Sequence, residues 1–143
     1  MSTDTGQVAD MTLVICKPDA VERGLVGEII GRLERRGLRL VRAELRLMDK
    51  QTAATHYQEH EGKPFYEGLI DYITRSPVLV MAVSGTPATW QVVRRTMGAT
   101  NPAHAEPGTI RGDLALTTEE NLVHGSDSAE SARRELALFF PDL

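Results

Sequence analysis

MTLVICKPDA (11–20) contains the junction on which the fold turns. Its first six residues are apolar or β-branched and end at Lys17-Pro18, the pattern of a short buried strand. Pro18 has no backbone N–H to lose in the first turn of a helix, and Asp19 adds negative charge at the positive end of the helix dipole. The stretch predicts a strand over 11–16 and a short helix over 18–23 that stops at Gly24. Downstream, apolar residues at 26, 29, 30 and 33 follow the i, i+3, i+4, i+7 pattern of an amphipathic helix, closed by Gly37. Leu38 to Leu47 alternates as Leu38, Leu40, Ala43, Leu45 and Leu47, with charged residues between. This predicts a strand with one wet face, and the phase slip near Val41 predicts a bulge.

Lys50 to His60 is helical in character, Gly62-Lys63-Pro64 breaks it, and a second helix is expected over 65–75. After the Ser76-Pro77 turn, Val78 to Val83 suits a central strand, and Ala88 to Met97 is a helix stopped by Gly98. Residues 98–121, with Pro102, Pro107, Gly108 and Gly112, read as a long irregular stretch. Loops of that length in a compact domain carry function or disorder, and Arg111 favours function. Leu122 to His124 is a short strand. Asp127 and Glu130 form a capping-box-like pair before a last helix, which buries Ala129, Ala132, Leu136 and Phe139 and ends near Pro141. Strands and helices thus alternate, with two helices between the second and third strands. The order fits an α+β sandwich with helices on one face of a four-stranded sheet.

The length of 143 residues suits one domain, expected over 11–143, after a flexible polar tail at 1–10 without a signal-peptide core. No stretch approaches the ~20 apolar residues of a membrane span. Sixteen Lys and Arg against twenty Asp and Glu give a net charge of −4. That argues against a broad nucleic-acid surface but leaves room for a local pocket for a small anion. The lone cysteine, Cys16, cannot form an intrachain disulfide and is expected buried and inert, in keeping with a reducing cytoplasm.

There is no P-loop, protein-kinase catalytic loop or zinc-spaced Cys/His cluster. His56 and His60 are four residues apart but lack a third ligand nearby, so they read as solvated helix histidines. His124 differs, because it ends a strand and faces a helix start, where backbone amides can hold an anion. Neutral imidazole is a nucleophile near pH 7, although a hydrogen-bonded strand-end histidine fits the same local context. Lys17, Arg94 and Arg111 are each unremarkable as exposed charges. Together with Thr100 and Asn121 they could clamp a polyphosphate, the lysine as a point charge and the arginines as planar forks. Phe65 is either a core aromatic or a platform on which a base stacks. Glu135 lies at i+8 from Asp127 and would reach the imidazole if the last helix packs back along the fourth strand.

Four motifs carry a resemblance: ICKPDAVERGLVGEII (15–30), EHEGKPFYEGL (59–69), MGATNPAHAEPGTIRGD (97–113) and NLVHGSDSAES (121–131). Over about residues 11–141 the chain closely resembles the nucleoside diphosphate kinase family. The resemblance implies a ferredoxin-like βαββαβ core, a four-stranded antiparallel sheet with added helices. It implies transfer of the terminal phosphate of ATP to nucleoside diphosphates by a ping-pong route through phosphohistidine, with Mg²⁺ carried mainly on the phosphates. His124 would be the nucleophile, supported by Tyr57, Ser126 and Glu135. Lys17 would contact phosphate and sugar, Arg94, Thr100 and Arg111 the phosphates, Asn121 the sugar, and Phe65 the base. The resemblance also implies a homo-oligomer. The chain stops soon after its last helix, short of the C-terminal segment that many members use between subunits, so hexamer and tetramer both stay open. A non-catalytic nucleotide-binding or interaction module on the same fold is the rival, and it predicts loss of the histidine or the clamp. A phosphodonor role toward other proteins would be an addition that shares the phosphohistidine.

Overall fold

The computed structural model describes residues 8–143. Four strands, β1 (Thr12–Cys16), β2 (Arg39–Arg46), β3 (Val78–Ser84) and β4 (Val123–Gly125), form one sheet in the order β2-β3-β1-β4, with every neighbouring pair antiparallel. Seven α-helices accompany them: α1 (Pro18–Glu22), α2 (Val26–Arg35), α3 (Lys50–His56), α4 (Tyr66–Thr74), α5 (Thr89–Met97), α6 (Ile110–Leu114) and α7 (Ala129–Phe139). Because β3 lies between β1 and β2, and β1 between β3 and β4, the chain contains two interleaved split β-α-β units. This is the ferredoxin-like α+β arrangement expected from the sequence.

Helices cover both faces of the sheet, not one as the element order suggested. Leu13, Ile15, Val78, Val80 and Ala82 face a core closed by Ala53 and Tyr57, by Ile73 of α4, and by Leu136 and Phe139 of α7. Val14, Cys16, Met81 and Val83 face a second core closed by Ile29 and Leu33 of α2, Val93 and Met97 of α5, and Ile110 of α6. Successive side chains point to opposite faces, so a strand apolar at every position must be covered twice. All five residues of β1 are buried. Cys16 is fully buried, and burial, then the charge of Asp19, pushes its thiol up to about 12, which leaves it inert as expected.

The bulge near Val41 is present, since Leu40 pairs with Val83 and Arg42 with Ala82. Leu40 pairs before the bulge and Ala43 and Leu45 after it, which accounts for the phase slip in the sequence. The expected wet and dry faces of β2 are not those observed beyond the bulge. Leu45 and Leu47 are exposed, whereas Arg42 and Arg46 cover the end of α7. Phe139 and Phe140 offer ring faces there, and the Arg46 guanidinium lies 5.4 Å from the Phe140 centroid and donates to the Phe139 carbonyl at 3.0 Å.

Residues 98–121 are more regular than expected, holding a 3-10 turn (Pro102–His104) and α6. Asn101 caps the turn by accepting from the Ala103 N–H, and Thr109 caps α6 by accepting from the Gly112 N–H. Gly112 is required here, because a Cβ at this position would lie 2.0 Å from the Glu106 carbonyl oxygen. Of the expected tail, residues 1–7 fall outside the described residues, while Val8–Asp10 form a 3-10 turn whose Val8 carbonyl accepts from the Met11 N–H. The cap of α7 is Ser128, one residue beyond the anticipated Asp127, and its side chain accepts from the Ser131 N–H at 2.9 Å. Ala129 is exposed, and Glu135 joins Ala132, Leu136 and Phe139 on the buried side. Ser128→Ala should destabilise the fold by about 1 kcal/mol. A urea midpoint unchanged from the wild-type protein would refute that role.

Candidate functional site

His124 projects from β4, the edge strand beside β1, where it pairs with Ile15. Its Nε2 lies 3.0 Å from Glu135 Oε1, and the Ser126 hydroxyl donates to the same oxygen at 2.7 Å. The last helix packs chiefly against β1 rather than along β4, and from there Glu135 still reaches the imidazole. Ser126 is fixed in turn by β1, since its hydroxyl accepts from the Leu13 N–H and its own N–H donates to the Leu13 carbonyl. Burial acts to raise the Glu135 pKa, but the hydrogen bond and charge of His124, with the bond from Ser126, outweigh it and bring the carboxyl down to about 2. An ionised carboxylate can only accept, so the Nε2 that meets it carries the ring proton and Nδ1 keeps a free lone pair.

Arg111, in α6, is 4% exposed. Its Nε donates to the Asn121 carbonyl at 3.1 Å, Nη1 to that of Gly98 at 3.0 Å and Nη2 to that of Val123 at 2.6 Å. Three of its five N–H donors thus hold backbone, which leaves one on each terminal nitrogen for an anion. Burial, then the charge of Arg94, pushes the guanidinium down to about 10, still charged at neutral pH. Lys17 Nζ donates to Asn121 Oδ1 at 2.9 Å, and Asn121 Nδ2 donates to the Thr100 carbonyl at 3.0 Å. Burial and the Arg111 charge lower the Lys17 ammonium to about 8 against the opposing pull of Asp19. An incoming anion would reverse that strain. Arg94 Nη1 donates to the Gly125 carbonyl at 3.0 Å, directly beside His124.

His124, Glu135, Tyr57 and Arg94 line one open cavity of about 190 Å³. Phe65 is not in it. At 51% exposure it lines a neighbouring cavity of about 330 Å³ with Pro64, Tyr72 and Glu120. Tyr72 brings this second cavity near the lysine of the clamp, its ring centroid lying 5.8 Å from Lys17 Nζ. Phe65 is thus exposed and not the core aromatic that was the other possibility.

Three features had no adequate signal in the sequence. Asp19 is buried, accepts from the Tyr72 hydroxyl, and accepts from the Leu122 N–H at 3.1 Å. As an acidic residue in a first helical turn it already had a local explanation. Leu122 has φ of 75°, and the Val123 N–H donates across it to the Asn121 carbonyl at 2.8 Å, a strained γ-turn. The Lys17 N–H donates to the Leu122 carbonyl at 2.8 Å, so the turn is held from both sides. The third is His56. It is no solvated helix histidine: α3 ends at His56, His60 lies in a separate 3-10 turn, and both His56 ring nitrogens are buried without a hydrogen-bond partner. Its ring stands 4.7 Å from that of His124, edge to face. Burial and the neighbouring His124 lower its pKa to about 3, so it is neutral at pH 7.

Fold and site together define an α+β protein that presents a carboxylate-bound imidazole near a lysine and two arginines, charges suited to phosphoryl groups. A family model described as nucleoside diphosphate kinase matches residues 10–143. A nucleoside diphosphate kinase from Thermomicrobium roseum is 58% identical over 131 residues, covering 92% of this chain and 87% of that protein. The one from Saccharopolyspora erythraea is 54% identical over 137 residues, covering 95% and 100%. Among solved structures, a nucleoside diphosphate kinase from Halobacterium salinarum in complex with CDP is 48% identical with a TM-score of 0.86, covering 92% of this chain and 88% of that one. The chain belongs to the nucleoside diphosphate kinase family. It is a phosphotransferase acting on nucleotides, and the non-catalytic alternative is not favoured. No helix among the described residues is long and apolar enough to cross a membrane.

Proposed function

We propose that the protein transfers the terminal phosphate of ATP to nucleoside diphosphates through a phosphorylated His124. The observation that carries this is the Glu135 carboxylate on Nε2 of His124, which leaves the Nδ1 lone pair free. In the first half-reaction Nδ1 attacks the γ-phosphorus, a P–N bond forms, and the bond to the ADP oxygen breaks. The imidazole becomes cationic, and Glu135 on its far side offsets that charge. A nucleoside diphosphate then takes the phosphoryl group by the reverse path in the same site. Lys17, Arg94 and Arg111, with Thr100, hold the phosphates, and Asn121 the sugar. Tyr57 and Ser126 support the histidine. A base that stacks on exposed Phe65, worth about 1–3 kcal/mol, is poorly discriminated, which suits a broad acceptor range.

Mg²⁺ fits this site as an ion that arrives on the nucleotide. The metal-capable group among the described residues, His56, His124 and Glu135, has two nitrogens, and Mg²⁺ prefers oxygen. Bound there on the phosphates, Mg²⁺ supplies charge neutralisation. The domain of residues 11–143 would assemble as a homo-oligomer, supported by exposed Leu45 on the edge strand β2 and exposed Leu47 just beyond its end. A reducing, cytoplasmic setting agrees with the free Cys16 thiol.

Incubation with γ-labelled ATP and Mg²⁺ should place an acid-labile phosphate on His124, and a nucleoside diphosphate chase should remove it. Label that resists acid, or that the chase leaves in place, defeats the proposal. Glu135→Gln should lower kcat by roughly tenfold or more, with KM for ATP little changed, because the loss falls on charge that develops in the transition state. A rise in KM alone would instead place Glu135 in nucleotide binding.

A further inference from the structure

His56, His124 and Glu135 offer one ligand atom each, all within 4.8 Å of one another. Two imidazoles and one carboxylate are a zinc donor set, with a fourth position left to water. The His124–Glu135 pair, at 3.0 Å, already has close to the spacing that tetrahedral zinc imposes, about 3.3–3.4 Å between ligands at bond lengths near 2.0–2.1 Å. The widest pair need close by at most about 1.5 Å. An independent observation concerns His56, whose two ring nitrogens are buried without a partner. Buried polar groups are almost always bonded, and an exception beside a reactive group calls for a partner, which a water, an ion or a ligand supplies. The cluster opens on the cavity of about 190 Å³, so an ion has a path in. Arg94 and Arg134 on the cavity wall and Lys17 near His56 oppose a cation, and Glu59 and Asp127 join Glu135 there to balance them.

We propose that His56, His124 and Glu135 form a binding site for a borderline-soft divalent cation of the zinc class, and that the ion and the phosphoryl group compete for His124. The site stands on its donor set, whereas the competition rests on His124 as nucleophile. Either nitrogen of His124 that takes the ion ends its nucleophilicity. An ion on Nδ1 occupies the attacking lone pair. An ion on Nε2 displaces the ring proton from that nitrogen, and a ring kept neutral then holds the proton on Nδ1. His56, which has no assigned part in phosphoryl transfer, is the residue that sets this apart from the nucleotide-borne Mg²⁺.

The test titrates Zn²⁺ alone into the intact, nucleotide-free protein by calorimetry, in a weakly coordinating buffer. One ion per chain is expected, with affinity lowered at least tenfold in His56→Gln and in His124→Ala. Co²⁺ substitution should give the intense visible bands of a tetrahedral site, lost in both variants. Affinity unchanged in His56→Gln, with circular dichroism showing a native fold, overturns the site. If that variant does not fold, a wild-type Co²⁺ spectrum of octahedral form overturns it instead. The competition is read separately, as the rate of labelling by γ-labelled ATP with free zinc fixed by a metal buffer. Labelling slowed in step with occupancy supports it. Undiminished labelling of zinc-loaded protein overturns the competition while leaving the site. An unlabelled protein in the absence of zinc would instead strike at the phosphohistidine.

Discussion

His124→Ala should lose phosphoryl transfer on the order of a millionfold in kcat, the scale of removing a nucleophile from groups that act as a unit. The clamp does not include the imidazole, since Arg111 and Lys17 are anchored to backbone and to Asn121. Nucleotide affinity, measured by equilibrium titration, should therefore change little. The glycine variant sharpens the test. Removing the ring leaves space between the His56 ring and the Glu135 carboxylate, and Ser126 still holds Glu135 in place. Free imidazole should enter it, donate to Glu135, and restore part of the transfer. No recovery in a His124→Gly protein that folds and binds nucleotide would count against the nucleophile role.

Arg111→Ala should cost about 3–5 kcal/mol of stability, one of the largest single-residue effects expected in this chain. The carbonyls of Gly98 and Val123 would each lose their donor at a cost of about 1–3 kcal/mol, with partial relief by relaxation or water, while that of Asn121 keeps the Val123 N–H. Those carbonyls belong to Gly98, Asn121 and Val123, so the guanidinium ties the end of α5 to the strained turn and to β4. Its loss should also loosen the turn that positions Asn121 and His124. Arg111→Lys keeps the charge, but a single ammonium cannot reach three carbonyls along a planar fork. It should fall between alanine and wild type in urea midpoint while retaining part of the nucleotide affinity. A midpoint within 1 kcal/mol of wild type for the alanine variant would show that the bonds are replaced by water.

Legibility in the sequence followed the range of the interactions. The bulge of β2 could be read because a one-residue slip reverses which side chains face the core, and that leaves a mark in the spacing of Leu40 and Ala43. Caps at Asn101 and Thr109 were equally local, and their side chains explain the order found in a stretch expected to be irregular. The Arg42 and Arg46 face of β2 was misread because charged stems can cover aromatic rings, which periodicity alone does not reveal. His56 was misplaced for a related reason. Its spacing to His60 suggested one solvated helix, whereas the chain ends α3 at His56 and turns its ring toward a residue 68 positions away.

The sequence by itself determined the four strands and most of the helices, the sheet-and-helix class, and the motif whose histidine, lysine and arginines mark the family. Those are properties of spacing and residue type, and they survive without coordinates. Only the tertiary structure decided that both faces of the sheet are buried, since a strand apolar throughout names no partner for either side. Only packing brought Glu135 onto Nε2 and so left Nδ1 as the free nitrogen. The same is true of Asp19 beneath Leu122 and of His56 beside His124, contacts between segments far apart in the chain. Hydrogen bonds and pKa shifts depend on ångström-scale separations and on burial, and neither is encoded in any local run of residues.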